Sequence, residues 1–158
     1  MKPIANLLLL AALAGCACGS PILTLTLVQS TISAAAGGSA TFMATGLNTA
    51  AVTENLNGDS FTPAPPLTFD ASDFLNNWPF TLDPGQSFGP ADLFVVNVPI
   101  GTAQGVYSGA FDILGGPGIS DTNLLGTVNF SVNVIPEPGT FALLGIGIAL
   151  AALRRRRA

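Results

Sequence analysis

The sequence contains no histidine, and its five basic residues all lie close to its ends. Lys2 is the first, and the other four form the run at residues 154–157. From Pro21 to Ile135 there is no cation, although every acidic residue except Glu137 lies there. A segment without cations cannot neutralise nucleic-acid phosphates or clamp an anionic substrate, and it lacks the commonest general base. The composition therefore excludes nucleic acid as a partner.

Cysteine is almost as scarce, since the two cysteines, Cys16 and Cys18, both lie near the N-terminus. Residues 21–135 therefore have no thiol nucleophile, zinc–thiolate site or disulfide. Carboxylates are the remaining catalytic candidates, and Asp70 and Asp73 are one pair to consider as acid and base. No Gly-x-Ser-x-Gly elbow or phosphate-binding loop occurs. We expect a protein that is not an enzyme and that has no cofactor.

Residues 1–20 form a predicted signal peptide. Lys2 gives a minimal positive region, and residues 4–14 are apolar but too few to span a membrane. Leu13-Ala14-Gly15-Cys16 resembles the bacterial lipobox, which would make Cys16 a lipidation site. The stretch 17–19 (Ala-Cys-Gly) instead offers the small residues that an ordinary signal peptidase reads. Both interpretations stay open.

From residue 22 the chain changes to short segments in which apolar and polar residues alternate. Residues 23–27 and 126–134 are the clearest cases, and period two is typical of half-buried strands. About seven such strands with frequent turns predict an all-β fold, a single antiparallel β-sandwich over residues 22–135. We predict turns at residues 34–39 and 57–59, a type II turn at 83–86, and a final hairpin through 115–122. One helical turn is predicted at 70–77, capped by Asp70.

Two aromatic residues carry further predictions. Trp78 is interpreted as a plug for one end of the core; the alternative is a ligand-stacking platform with Phe80 and Phe88. The segment 98–107, with its Pro and its Gly-Val-Tyr, resembles the approach to the sixth strand in immunoglobulin-like bacterial surface domains. That resemblance implies that the Tyr107 hydroxyl bonds back to the preceding loop.

Calcium binding is the one metal-ion hypothesis that the sequence leaves open. It takes oxygen ligands, and loops at one end of a sandwich can supply several. Asp112 and Asp121 flank one loop, while Asp59 and Asp70 flank another. No Asp-x-Asp-x-Asp run is present, so the sequence assigns no metal ligands.

The tail at residues 136–158 combines three features. Pro136 and Pro138 cannot continue a strand, residues 141–153 are an uncharged apolar run, and four arginines follow. As a helix this run of about thirteen residues would measure about 20 Å, a short transmembrane helix. The order of these features resembles the PEP-CTERM sorting signal of Gram-negative bacteria. The residues that carry the resemblance are Pro136, Glu137, Pro138, Arg154, Arg155, Arg156 and Arg157.

This resemblance implies recognition by a membrane protease-transpeptidase, the exosortase, and an association with exopolysaccharide and biofilm. We therefore expect an exported surface or matrix protein that the tail holds transiently in the membrane, with the arginines as the stop-transfer element. Its expected partners are the exosortase, the membrane and exopolysaccharide. Two alternatives stay open: a carbohydrate-binding β-sandwich module, and a lipoprotein or tail-anchored periplasmic domain.

Overall fold

The computed structural model describes residues 22–62 and 65–136, together with the isolated positions 139, 143, 145 and 146. In chain order, the strands and a short helix of these residues are β1 (Leu23–Leu27), β2 (Thr31–Ala35), β3 (Ser39–Asn48), β4 (Glu54–Thr62), β5 (Thr68–Asp70), α1 (Ser72–Asn77), β6 (Thr81–Leu82), β7 (Ser87–Asn97), β8 (Gly105–Gly116) and β9 (Asn123–Ile135).

The strands of this described range form two sheets packed around one core. One sheet has the order β1-β3-β7-β5, and the other has the order β2-β9-β8-β4-β6. Every pair is antiparallel except β2 with β9, which run parallel. The predicted all-β, two-sheet architecture is confirmed. The predicted number of about seven strands is too low, since nine are present in the described residues.

Alternation decides which side chains enter the core. In β3, Ala40, Phe42 and Ala44 are buried, while the residues between them face solvent or are half-buried. In β9, four alternating residues from Val128 to Val134 are buried in the same way. Because side chains in a strand point to opposite faces in turn, each strand contributes one apolar face to the space between the sheets.

Four fully or almost fully buried phenylalanines fill the centre of the core: Phe42, Phe94, Phe111 and Phe130. The rings of Phe42 and Phe94 stack at 4.9 Å within one sheet, and those of Phe94 and Phe111 stack at 4.8 Å across the two sheets. Phe130 also reaches Phe42 from the opposite sheet, at 5.2 Å. Such pairs contribute about 0.5–1.5 kcal/mol each beyond the area that they bury, so this cluster fixes how the sheets face each other.

Two of the predicted turns are wrong in part. Ala34 and Ala35 belong to β2, which pairs with β9, and the turn follows them at Ala36 and Gly37, where Gly37 has a φ of 79°. The predicted turn at residues 57–59 lies inside β4. Leu56 pairs with Gly115 and Gly58 with Leu114, so Asn57 is the extra residue of a β-bulge.

The remaining local predictions hold with one correction. The helical turn is present as α1, but Asp70 accepts a hydrogen bond from the Ser72 N–H at 2.9 Å rather than capping Asp73 and Phe74. The turn at residues 83–86 is present, with a bond of 2.9 Å from the Gln86 N–H to the Asp83 carbonyl. The predicted β8–β9 hairpin is also confirmed.

The predicted signal peptide (residues 1–20) and most of the predicted transmembrane helix lie outside the described residues. Among the residues that are described, no helix is long and apolar enough to cross a membrane. Both terminal segments therefore stay predictions.

Candidate functional site

The last strand of the fold leads directly into the predicted sorting tail. β9 ends at Ile135, and Pro136 follows it immediately. Val134 is still buried in the core, and it pairs with Gly105 of β8 on one side and with Ala34 of β2 on the other. Proline has no N–H to donate to a ladder, so Pro136 ends the strand. The predicted break at Pro136 is confirmed.

A tyrosine braces the neighbouring strand beside this exit. The Tyr107 hydroxyl donates a hydrogen bond of 2.9 Å to the Ala103 carbonyl, which confirms the predicted bond to the preceding loop. Tyr107 pairs with Val132, two residues before Val134 on β9. The bond therefore holds the loop before β8 at the end of the sheet where the chain leaves the fold.

The other predicted sorting residues cannot be placed. Glu137, Pro138, the four arginines at 154–157 and the lipidation candidate Cys16 lie outside the described residues. Their roles stay predictions from the sequence.

The three aromatic residues of the alternative ligand platform do not form one flat surface. Trp78 is 5% exposed, and its Nε1 donates to the Asp92 carbonyl at 3.0 Å, so it is a core residue as predicted. Phe88 meets it edge-on, with ring centroids 5.4 Å apart. Phe80 is 80% exposed and lies with Leu75 along a groove of about 260 Å³. Only Phe80 is open for stacking.

The carboxylates considered for catalysis are occupied by local hydrogen bonds. The bond from the Ser72 N–H lowers the pKa of Asp70, because it stabilises the charged form. Asp73 lies on α1, where the Asn77 side chain donates to it at 3.5 Å. Nowhere in the part of the chain that the structure describes do three His, Cys, Asp or Glu side chains form a group that could hold a metal ion.

A polar face covers the outside of the larger sheet. The Asp112 carboxylate accepts hydrogen bonds from Thr127 at 2.6 Å and from Ser60 at 3.2 Å. Farther along the sheet, the hydroxyls of Ser108 and Ser131 lie 2.8 Å apart. These hydroxyl and carboxylate groups bridge the three neighbouring strands β4, β8 and β9 and carry no positive charge.

Two asparagines of β4 hold the loop between β8 and β9, a role that the sequence pattern did not indicate. Their Nδ2 atoms donate to four backbone carbonyls of that loop. The bonds run from Asn55 to Gly116 and Pro117, at 3.0 and 2.9 Å, and from Asn57 to Gly118 and Asp121, at 3.1 and 2.9 Å. The bulge at Asn57 aims its side chain at the loop. The motif Asn-x-Asn-Gly is visible in the sequence. The β-bulge that directs the Asn57 side chain to the loop is not visible, because it forms only when β4 pairs with β8.

A buried acidic residue at the start of β4 was likewise not indicated by the sequence pattern. Glu54 is 2% exposed, and its Oε2 has no hydrogen-bond partner among the described residues. Burial raises the pKa of this carboxyl, and the negative charge of Asp121 raises it further. A buried carboxylate without a donor is costly and calls for an explanation.

A family model described as a PEP-CTERM protein-sorting motif matches residues 134–157. The match begins inside β9 and includes Pro136, Glu137, Pro138 and the arginine run. The chain thus carries a PEP-CTERM sorting motif, as its sequence indicated. Such a motif implies export, processing by an exosortase and sorting to the cell surface.

Among solved structures, one similar protein is described as WR4, an MSP family member of C. elegans. It has 6% sequence identity and a TM-score of 0.41, and the similarity covers 73% of this chain and 100% of that one. No curated protein matches the sequence.

Proposed function

We propose that this chain is a non-enzymatic surface or matrix protein whose β-sandwich is delivered by its C-terminal signal and released near Pro136, Glu137 and Pro138 by an exosortase. The match of residues 134–157 to the sorting motif is the observation that carries this proposal. In its mechanism the arginines stop translocation, the apolar run occupies the bilayer, and the prolines present an extended segment to the enzyme.

The junction between β9 and the tail supports separate roles for the sandwich and the sorting signal. β9 is paired with β8 up to Val134 and with β2 up to Ile135, and Pro136 is the first residue beyond the ladder. Cleavage after Pro136 would leave every strand of the described range intact. The sandwich would then remain folded whether or not the tail is removed.

We further propose that the sandwich is immunoglobulin-like. The sheet order β1-β3-β7-β5 corresponds to the strands A, B, E and D of that fold, and β9-β8-β4 corresponds to G, F and C. Tyr107, near the start of the strand equivalent to F, makes the backbone bond expected of its corner tyrosine.

Exopolysaccharide is the proposed environment of the sandwich. The polar face around Asp112, Ser108 and Ser131 offers hydroxyl and carboxylate groups that can exchange hydrogen bonds with sugar hydroxyls. The absence of cations from residue 21 to 135 favours a neutral polysaccharide over an acidic one.

The mature C-terminus, measured by mass spectrometry in the native organism, tests the sorting proposal. Cleavage at aspartate is needed, since trypsin has no site between Lys2 and Arg154. We expect a terminus near residues 136–139 that is lost when the exosortase is deleted or when residues 136–138 are replaced by alanine. The surface variant Asp73→Asn should be processed normally. An intact arginine end in the inner membrane, with or without the enzyme, would contradict the proposal.

A carbohydrate-binding module is the second candidate, favoured by the exposure of Phe80 beside Leu75 and Ile119. If sugars stack there, Phe80→Ala should abolish retention on the host's own polysaccharide, whereas Val106→Ala, at another exposed apolar residue, should not. Equal retention of both variants would reject this candidate.

A further inference from the structure

β1 is an edge strand whose outer side has no partner strand in the described part of the chain. It is the first strand of its sheet and pairs there only with β3. The N–H of Val28, directly after β1, donates to the Met43 carbonyl at 2.9 Å, so the even-numbered residues turn their backbone groups towards β3. The odd-numbered residues turn theirs the other way, because these groups alternate along a strand. Leu25 and Leu27 therefore each present an N–H and a carbonyl at the outer edge.

The leucine side chains along this edge are only partly covered. Leu25 and Leu27 pack against the core but stay half-buried, whereas Leu23 is 1% exposed. Leu23 is covered at its end of the strand, where its carbonyl lies against Gly126 of β9. A further strand laid along the edge beyond Leu23 would bury both half-buried leucines and pair their backbone groups.

The edge strands on the far side of the sandwich carry a protection that β1 lacks. Natural sheets keep an edge from pairing with another molecule by making the edge strand very short or by placing charges on it. β5 has three residues and ends at Asp70, and β6 has two residues and is followed by Asp83. β1 has five residues and carries neither a charge nor a proline. Its edge is therefore open to a pairing strand.

The side of the sandwich that carries β1 is also free of charge. No charged residue lies between Lys2 and Glu54, a range that includes β1, β2 and β3, and none lies between Asp121 and Glu137, a range that includes β9. All carboxylates of the described residues lie within positions 54–121. Since residues 21–135 contain no cation, two copies of the sandwich repel each other wherever these carboxylates meet. The uncharged side is where a second copy can approach.

We propose that two copies of this chain pair edge to edge through β1 and form one continuous sheet about a two-fold axis near Thr26. In an antiparallel pair about that axis, Leu25 of each copy lies opposite Leu27 of the other, and the two residues exchange both main-chain hydrogen bonds. Because the open segment reads Leu-Thr-Leu in either direction, leucines meet on the core side and threonines meet outside. A two-fold contact needs this self-complementarity, and it closes as a dimer. The sorting proposal does not depend on this contact.

Opposite charges at one position test the symmetry of the contact. Thr26 is exposed, so Thr26→Lys and Thr26→Glu should fold normally, which the emission of the buried Trp78 verifies. In either variant like charges would meet at the two-fold axis, and the dissociation constant of the dimer should rise about tenfold or more. An equal mixture of the two variants should return the dissociation constant to within about threefold of the wild-type value, because opposite charges then meet.

Sedimentation velocity of the full chain in detergent measures these constants at protein concentrations from about 10⁻⁶ to 10⁻⁴ M. Thr68 provides the control, because it is exposed on β5, at the opposite edge of the same sheet. Thr68→Lys, Thr68→Glu and their mixture should all associate like the wild type, which separates the contact from a general effect of charge.

Three results would overturn the proposal. The first is a wild type that stays monomeric over this range of concentration. The second is association that survives unchanged in Thr26→Lys and Thr26→Glu, as a contact through the apolar tail would. The third is a mixture of these two variants that associates no more tightly than either variant alone.

Discussion

Replacing Asn48 tests how one buried polar side chain ties together an end of the sandwich. Asn48 is fully buried at the end of β3. Its Nδ2 donates to the carbonyls of Val52 and Leu82 at 2.9 and 2.8 Å, and its Oδ1 accepts the Ala50 N–H at 2.8 Å. One side chain therefore satisfies three backbone groups from two segments.

Asn48→Ala should lower the free energy of unfolding by about 2–4 kcal/mol, from three hydrogen bonds at about 1 kcal/mol each and the cost of the groups left unpaired. That is a large share of the roughly 5–15 kcal/mol that holds a domain folded. Asn48→Asp should be worse than Asn48→Ala at neutral pH. It keeps the acceptor but turns a charged oxygen towards the carbonyls of Val52 and Leu82.

Urea unfolding followed by fluorescence measures these effects, because Trp78 is the only tryptophan and is buried in the core. Asn76 on α1 is exposed and provides the matched control, for which Asn76→Ala and Asn76→Asp should stay within about 0.5 kcal/mol of the wild type. If Asn48→Ala cost no more than Asn76→Ala, the reasoning about the buried asparagine would be refuted.

Three further predictions concern the hydrogen bond of Tyr107, the packing around Trp78 and the dependence of stability on pH. Tyr107→Phe should cost about 0.5–1.5 kcal/mol in urea unfolding, because it removes only the hydrogen bond to Ala103. Gly46→Ala should cost about 1–3 kcal/mol and shift the Trp78 emission, because the added Cβ would lie 2.8 Å from Cζ3 of that ring. The pKa of Glu54 is raised in the folded state, so stability should be greatest below the ordinary glutamate pKa and should fall as pH rises through the folded value. Glu54→Gln should flatten that dependence in unfolding curves measured from pH 4 to pH 7.

For each of these three predictions, one result would contradict the reasoning. An unchanged unfolding midpoint in Tyr107→Phe would mean that the corner bond adds no stability. Gly58→Ala is the control for Gly46→Ala, since nothing lies within 4 Å of an added Cβ at Gly58, and equal losses would argue against a clash with Trp78. An identical pH profile in wild type and Glu54→Gln would show that another group titrates.

The sequence predicted the features that depend on local patterns. Alternation located the core faces of β1 and β9, and Pro-Gly spacing located the turn before β7. The predicted bond of Tyr107 also holds. What the sequence missed depends on contacts between distant segments. The pattern around Asn57 is a turn signal in isolation, and only the β8 partner strand makes it a bulge.

The burial of the polar residues in the interior could not be predicted from the sequence for a related reason. Asn48 and Glu54 are residue types that usually face water, so nothing local marks them as buried. The partners of Asn48 lie as far away as Leu82, 34 positions along the chain. Burial of such residues follows from the assembled sheets and not from the sequence around them.

The position of β9 has a mechanical consequence for any force applied through the C-terminal tail. The tail continues from a strand that is paired with β8 on one side and with β2 on the other. A pull along β9 would load both hydrogen-bonded ladders in shear, so many bonds would share the force at once. A tail continuing from an unpaired strand edge would instead open one ladder bond by bond. A force applied through the tail before its removal would therefore meet the resistance of both ladders of β9.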